Sequence, residues 1–165
     1  MLLHLASEQT QSVLSQYDSD QVQPNAVDLR VNKIFESFSQ VFIISEEDKQ
    51  HRETRPVDLG KDGWWRLEPG SYEIVMEGTI SIGEDEAGLV VARSSLNRNG
   101  CFITSGLYDS GYEGVMAGVL HVNNGPMMLK PGTRVGQFLL FKADTMFQYD
   151  GDYGAGKQHD NKYGV

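Results

Sequence analysis

The fold is decided by the stretch from Val115 to Phe141, which reads VMAGVLHVNNGPMMLKPGTRVGQFLLF. Its two apolar runs, Val115–Val122 and Arg134–Phe141, have the length of buried strands. Between them lie Asn124-Gly-Pro126 and Lys130-Pro-Gly132, which supply the positive φ or the fixed proline φ that tight turns require. The stretch therefore predicts strands joined by turns rather than helices.

The same pattern extends through most of the chain. Further short apolar runs, again separated by turn residues, are Val27–Val31, Val41–Ile44, Tyr72–Met76, Leu89–Ala92 and Cys101–Thr104. Many short strands of this kind predict an all-β barrel or a distorted jelly roll. We expect one domain over residues 1–150, with a short helix or arm at 1–22 and a charged loop at 45–63. Residues 151–165 are rich in Gly and lack apolar periodicity, which predicts a flexible tail.

Composition excludes several classes of protein. The 165 residues carry 14 Lys plus Arg and 23 Asp plus Glu, a formal charge of −9, which disfavours a nucleic-acid partner. Cys101 is the single cysteine, so no internal disulfide forms, and we expect it to be a small buried apolar residue. The opening Met1–Leu5 lacks a basic signal region, and no apolar run approaches the ~18 residues of a membrane span. We expect a soluble cytoplasmic protein with no membrane partner.

Common catalytic motifs are absent. The sequence has no GxxxxGK[ST] loop, no GxGxxG after a strand, no HExxH and no CxxC. P-loop NTPases, dinucleotide enzymes and zinc proteases therefore lose support. The H-x-E and P-C-x-x-C pattern of zinc deaminases is also missing, so any deamination here would proceed without zinc.

Polar segments interrupt the apolar pattern at several places. Arg93-Ser94-Ser95 follows an apolar run and offers a guanidinium and two hydroxyls, which suits either phosphate oxygens or a capped surface turn. Gln137 lies within an apolar strand, where its amide needs either backbone partners or a ligand. Asp28 alternates with apolar neighbours, as in an ordinary half-exposed strand.

A fourth segment, Ser105–Gly114, surrounds Asp109 with glycines and aromatics. It predicts a hairpin whose backbone approaches a flat ligand, with Asp109 directed at a sugar or a water. Taken alone, Asp109 is better explained as a residue that bonds only the backbone of its own turn.

Taken in order, these segments resemble the superfamily of trimeric dUTP pyrophosphatases and dCTP deaminases. The resemblance covers residues 23–137 and rests on Asn25–Arg30, Arg93–Leu96, Gly106–Gly114 and Pro131–Gln137. It implies a β-clip (distorted jelly-roll) subunit and a homotrimer with active sites between subunits. It also implies a deoxyuridine nucleotide as substrate, with Mg²⁺ held by the triphosphate.

The resemblance also implies roles for individual residues. Phosphate contacts fall on Arg93, Ser94, Ser95 and Gln137. Asp109 falls on the catalytic carboxylate that touches the deoxyribose and orients water, Tyr112 on the aromatic against the sugar, and Asp28 on a position linked to the metal's water shell.

The remaining site positions concern the base and the tail. Gly106 stands where pyrophosphatases carry a small residue and deaminases a larger one. In the tail, Tyr153 would stack on the base and Lys157 would meet the terminal phosphate.

The choice of reaction depends on Val119. By the resemblance, deaminases need a proton-shuttling glutamate at this place in the strand, and the strand contains no acid; His121 is its only titratable residue. Loss of a general base costs about 10²–10⁴ in rate. We therefore expect hydrolysis of dUTP to dUMP and pyrophosphate. A dCTP deaminase, with or without pyrophosphatase activity, a catalytically silent nucleotide-binding regulator and a purely structural jelly roll remain alternatives.

Overall fold

The computed structural model describes residues 1–164. Its regular secondary structure consists mainly of antiparallel strands, which confirms the all-β prediction. The strands are β1 (Leu2–Leu3), β2 (Val13–Leu14), β3 (Val27–Ser37), β4 (Ile43–Ile44), β5 (Lys49–Gln50), β6 (Thr54–Pro56), β7 (Trp65–Leu67), β8 (Gly70–Ser81), β9 (Glu86–Ala92), β10 (Cys101–Thr104), β11 (Glu113–Val122), β12 (Met127–Leu129) and β13 (Arg134–Lys142). The helical elements are one short helix, α1 (Ser94–Asn97), and two 3₁₀ helices, Ser19–Gln21 and Gln158–Tyr163.

The long strand β3 joins two halves of one curled sheet. Its first residues pair with β13, where Asp28 lies opposite Gln137. After a bulge its later residues pair with β8, where Ile34 lies opposite Ile74. Strand β13 also pairs with β9, and β8 continues through β11 to β10. Because β3 changes partners along its length, the sheet curls around its own apolar face as a distorted jelly roll.

Apolar side chains from both halves fill the space inside the curl. Phe138, Leu29, Met116 and Leu120 are at most 1% exposed. Gly88 lies against Phe138, and a Cβ added at Gly88 would stand 2.3 Å from the Phe138 ring. Only glycine leaves room for that ring, so the glycine in β9 is required by packing rather than by backbone conformation.

The N-terminal arm is fastened by one buried carboxylate. Glu86 is 4% exposed and accepts hydrogen bonds from the Thr10 and Ser12 hydroxyls and from the backbone N–H groups of Gln11 and Ser12. Burial acts to raise the pKa of the Glu86 carboxyl, but the hydrogen bonds, led by that from the Ser12 hydroxyl, outweigh it and leave the pKa below its ordinary value of 4.5. The arm therefore depends on the ionised form of Glu86.

Replacing this carboxylate tests that dependence. Glu86→Gln should lower the free energy of unfolding at pH 7 by about 1–3 kcal/mol, because an amide cannot accept all four bonds. The contribution of Glu86 should be complete above pH 4.5 and should disappear as the pH falls through the lower pKa of the folded state. Urea unfolding at several pH values measures both effects. The exposed Glu84→Gln is the control, and an equal loss in both variants would contradict this account.

The tail differs from the flexible segment that the composition predicts. Tyr163 is 4% exposed and packs with Phe35, Val75 and Val115, which lie on the outer face of the sheet. The buried Asp160 carboxylate accepts a hydrogen bond from the Gly154 N–H at 2.7 Å. The tail has little apolar surface of its own, but Tyr163 packs against apolar side chains that the sheet presents on its outer face.

Two glycines allow the tail to cross β11. A Cβ at Gly114 would stand 2.7 Å from the Gly154 Cα, and a Cβ at Gly154 would stand 2.6 Å from the Glu113 carbonyl oxygen. Gly154 also has a φ of +119°, which other residues rarely adopt. The Ala155 N–H then donates to the same Glu113 carbonyl at 2.8 Å. The tail is therefore held by direct contact between two backbones.

Within residues 1–164, no helix is long and apolar enough to cross a membrane.

Candidate active site

The first polar group lies where β3, β13 and α1 meet, and we call its residues Asp28, Arg93, Arg134 and Gln137 the arginine cluster. Asp28 is completely buried, with Arg93 Nε at 3.1 Å and Arg134 Nη1 at 3.6 Å from its Oδ2 atom. The Gln137 amide donates to the other oxygen of Asp28 at 3.1 Å. The two guanidinium groups remain about one-third exposed, so the cluster presents positive charge at the surface.

The two predicted serines lie beside this cluster. Ser94 and Ser95 are the first residues of α1, directly after Arg93, and both are exposed. Their hydroxyls have no hydrogen-bond partner in the described part of the chain, and Arg93 precedes the helix without a side-chain cap. The alternative of a capped turn therefore loses support, and the hydroxyls are available to a ligand.

Asp28 has a different environment from the one that the sequence predicts. It lies in β3 with its carboxylate between two guanidinium groups, not on an exposed strand face. A buried carboxylate that is already neutralised in this way is poorly suited to the water shell of a cation. Its contacts are instead those of a residue that fixes the Arg93 and Gln137 side chains.

The second feature is a cavity of about 500 Å³ on the outer face of the sheet, which we call the outer cavity. Its floor is the β11 segment Ala117–Val119, and one wall is formed by Gly106–Tyr108. The tail and the segment around His51 form the other walls. The volume is within the range of small-molecule sites.

Buried tyrosines form the apolar side of the outer cavity. The Tyr112 hydroxyl donates to the Val115 carbonyl at 2.8 Å, and its ring packs at 5.2 Å from Tyr108 and 5.5 Å from Tyr149. Burial raises the pKa of Tyr112, so the phenol stays neutral. Tyr112 thus presents a fixed aromatic surface, as its predicted contact with a sugar requires.

Asp109 is held by its neighbours while its own carboxylate stays free. The backbones of Tyr108 and Gly88 exchange two hydrogen bonds, and the Gly111 N–H donates to the Ile82 carbonyl at 3.0 Å. The Asp109 side chain is exposed and has no hydrogen-bond partner among residues 1–164. The turn is closed by the Asp109 backbone carbonyl, which accepts from the Tyr112 N–H at 3.0 Å, so the carboxylate is not used to bond its own turn.

The other predicted site residues divide between the cavity and the surface. Gly106 and Tyr153 line the outer cavity, and a Cβ at Gly106 would meet nothing within 4 Å. Lys157 does not line the cavity; its ammonium group lies 3.7 Å from an Asp150 carboxylate oxygen. Its contact with the terminal phosphate stays a prediction.

Several cavity residues were not predicted from the sequence: Glu73, His51, His159, Asp160, Lys162 and Tyr163. The His51 and His159 rings are 4.6 Å apart at the entrance. Burial and the neighbouring His159 lower the pKa of His51. In the sequence, these residues are visible only as charged residues of the 45–63 loop and as titratable groups of the tail. Nothing in the sequence shows that these two segments contact each other.

The arginine cluster and the outer cavity are separate within one chain. None of Asp28, Arg93, Arg134 and Gln137, nor the two serines, lines the cavity. No group of three or more His, Cys, Asp and Glu side chains suited to a metal ion occurs among the described residues. One chain thus presents a cationic surface and an aromatic cavity at two separate places.

Comparison with known proteins gives the family of the chain. Residues 2–143 match the family model described as dCTP deaminase-like, so the chain belongs to the dCTP deaminase-like family.

Some relatives of the chain are named as nucleotidohydrolases and others as dCTP deaminases. The chain is 34% identical over 139 residues to a probable deoxyuridine 5'-triphosphate nucleotidohydrolase of Halobacterium salinarum, covering 81% of this chain and 83% of that one. It is 33% identical over 144 residues to a dUMP-forming dCTP deaminase of Salinispora arenicola, covering 82% and 74%.

A solved structure confirms the fold. The 2'-deoxycytidine 5'-triphosphate deaminase from Agrobacterium tumefaciens matches with a TM-score of 0.59 at 19% identity, over 78% of this chain and 43% of that one. The jelly-roll prediction is therefore confirmed.

Proposed function

We propose that this protein hydrolyses dUTP to dUMP and pyrophosphate. The observation that carries the proposal is the free carboxylate of Asp109, which does not line the outer cavity itself but is held on a fixed backbone between Tyr108 and Tyr112, which do. Val119, at the place where the resemblance puts the deaminase glutamate, is not an acid, and the Glu73 carboxylate opposite it is paired with Lys162. The relative from Halobacterium salinarum, named as a nucleotidohydrolase, supports the same reaction.

In this mechanism Asp109 acts as general base. Its carboxylate takes a proton from a water molecule, whose oxygen forms a bond to the α-phosphorus. The bond from the α-phosphorus to the bridging oxygen breaks, and pyrophosphate leaves with the electron pair. General base assistance of this kind contributes about 10²–10⁴ in rate. The Tyr112 ring packs against the deoxyribose and holds the α-phosphate near Asp109.

The arginine cluster supplies the charge that the triphosphate needs. Arg93, with the hydroxyls of Ser94 and Ser95 and the amide of Gln137, contacts the phosphates and stabilises the charge that develops on them. Asp28 is a positioning residue that holds Arg93 and Gln137 through the contacts of 3.1 Å.

Magnesium is the expected cofactor of this reaction and would enter with the triphosphate. The residues of this chain do not fit a metal site of their own, because Asp28 is already paired with two arginines and no acidic cluster occurs in residues 1–164. We therefore assign no protein ligand to the metal.

Base recognition uses the hairpin and the tail. The backbone of Ser105–Tyr112 faces uracil, and cytosine is disfavoured because its exocyclic amine places a donor opposite another donor. Gly106 leaves open space beside the base, and Tyr153 covers it.

A homotrimer would bring the two parts of the site together, with the outer cavity of one subunit facing the arginine cluster of another. The separation of these parts within one chain supports this assembly. So do the adjacent Met146 and Phe147, which are 88% and 85% exposed in the single chain and are suited to a subunit contact.

Mixing two inactive variants tests the shared site. Asp109→Asn and Arg93→Ala subunits should each have little activity, whereas a refolded mixture should recover part of the wild-type rate, because some interfaces combine two intact halves. Light scattering should give a trimer mass. A monomer mass, or no recovery of activity, would contradict the assembly.

Product analysis with dUTP and dCTP side by side in Mg²⁺ tests the reaction itself. We expect dUMP and pyrophosphate from dUTP and no ammonia from dCTP. The name of the Salinispora arenicola relative makes dCTP deamination the second candidate. Stoichiometric ammonia from dCTP would replace our proposal with it, and nucleotide binding without turnover would indicate a regulatory protein.

A further inference from the structure

Glu73 places a carboxylate in the outer cavity that the mechanism above does not use. It lies on β8 directly opposite Val119 of β11, so the two side chains share the outer face of the sheet. Its side chain is 16% exposed, and it lines the cavity together with Val119. The acid therefore approaches the cavity floor from a neighbouring strand.

The carboxylate is paired with a donor from the tail. Lys162 Nζ lies 2.7 Å from Glu73 Oε2, and the Tyr163 hydroxyl donates to Oε1. A carboxylate offers about four acceptor positions on its two oxygens, so Glu73 can accept another hydrogen bond without losing these two. The cavity thus presents an acceptor beside a cationic donor.

Most other polar groups around the cavity are already occupied. The Tyr108 hydroxyl donates to the Ala117 carbonyl, and the Tyr112 hydroxyl donates to the Val115 carbonyl. The Asp160 carboxylate accepts from Gly154 and contacts His159. Glu73 and Lys162 form a charged pair in the cavity beside Val119, and the Glu73 oxygens keep unused acceptor positions for a bound base.

We infer that Glu73 is a specificity-determining residue that accepts the N3–H of uracil, with Lys162 facing O4; this inference rests on the proposed function. Uracil has a donor at N3 and an acceptor at position 4, whereas cytosine has the reverse. Because the sugar is fixed at Tyr112, positions 3 and 4 of both bases fall at the same points. Cytosine would then set its N3 lone pair against the Glu73 carboxylate and its amine against the Lys162 ammonium, leaving both unpaired.

Binding of the two products tests this role without requiring turnover. The full-length protein and the variant Glu73→Gln are titrated calorimetrically with dUMP and dCMP. Glutamine offers both a donor and an acceptor, so it no longer favours a donor at N3. E73Q should therefore weaken the affinity for dUMP about tenfold or more, while the affinity for dCMP should change less than about threefold. The preference for uracil should fall by the ratio of these changes.

Tyr163→Phe is the matched control. It removes the other hydrogen bond to Glu73 and keeps the buried ring, so a residue that only holds the tail would respond equally to both substitutions. We expect the dUMP to dCMP preference of Y163F to equal that of the wild type. Proportional weakening of both nucleotides in E73Q, or absence of any uracil preference in the wild type, would overturn the inference.

Failure of the proposed function gives a different result. In that case the wild type would release no pyrophosphate from dUTP, whereas the preference for dUMP and its loss in E73Q would still be measured. If dUTP is hydrolysed and E73Q keeps the wild-type preference, the inference fails alone.

Discussion

Asp109→Asn should lower kcat for dUTP hydrolysis by about 10²–10⁴ while leaving the fold intact. The amide has the shape of the carboxylate but cannot take a proton from water. The Asp109 carboxylate makes no hydrogen bond in the described structure, and its backbone is held by the Gly88–Tyr108 and Ile82–Gly111 bonds, so no stabilising contact is lost. KM should change little, because most substrate contacts remain.

Single-turnover kinetics of dUMP formation, with circular dichroism to verify folding, measures this effect. Glu113→Gln is the matched control, since it neutralises another exposed carboxylate close to the same hairpin. Near-native turnover in D109N would show that Asp109 is not the general base. An equal loss in both variants would point to a general effect of charge.

Deleting residues 151–165 should lower both stability and activity. The deletion exposes the apolar contact of Phe35, Val75 and Val115 with Tyr163, which are all at most 4% exposed. Burial of a large aromatic residue at roughly 25 cal/mol per Å² corresponds to about 2 kcal/mol, and each kcal/mol shifts the thermal midpoint of a chain of this length by about 2–4 °C. Because the tail also walls the outer cavity, kcat/KM for dUTP should fall at least about tenfold.

Differential scanning calorimetry and steady-state kinetics separate these two effects. Tyr163→Ala should reproduce much of the deletion, whereas Asn161→Ala, at an exposed position of the same 3₁₀ helix, should behave like the wild type. An unchanged midpoint in the deletion variant would mean that the tail is not packed on the sheet in solution. Unchanged kcat/KM would remove Tyr153 from the site.

Much of the fold follows from local sequence. The apolar runs and the turn residues between Val115 and Phe141 identify strands because both signals depend only on neighbouring residues. Cys101 is buried, as its apolar surroundings predict. The order of the strands in the sheet does not follow from such patterns, since it depends on pairing between distant segments.

In the site as well, local features can be predicted from the sequence and contacts between distant segments cannot. The sequence singles out Asp109 and Gln137 because a polar residue in an apolar or Gly-rich setting is visible locally. Glu73 escapes notice because its importance comes from its register with Val119, which lies in another strand. The burial of Asp28 does not follow from its local alternation, because the two guanidinium groups that cover it come from the residue before α1 and from β13.

The packing of the tail on the sheet does not follow from composition, for a related reason. Composition measures how much apolar surface a segment carries, and the tail carries little. One residue, Tyr163, is sufficient when its partners already form a prepared surface. The free energy of ordering the tail therefore depends on the sheet as much as on the tail itself.

The crossing at Gly114 and Gly154 also bears on how relatives of this protein can diverge. Gly114 is required by the nearby Gly154 Cα, and Gly154 by the Glu113 carbonyl and its own positive φ, so a methyl group on either would push the two backbones apart. Over evolutionary time both positions are expected to stay glycine as long as the tail keeps this path. A relative with a larger residue at one of them should send its C-terminal segment along a different path, and so acquire a cavity of different shape on an unchanged jelly roll.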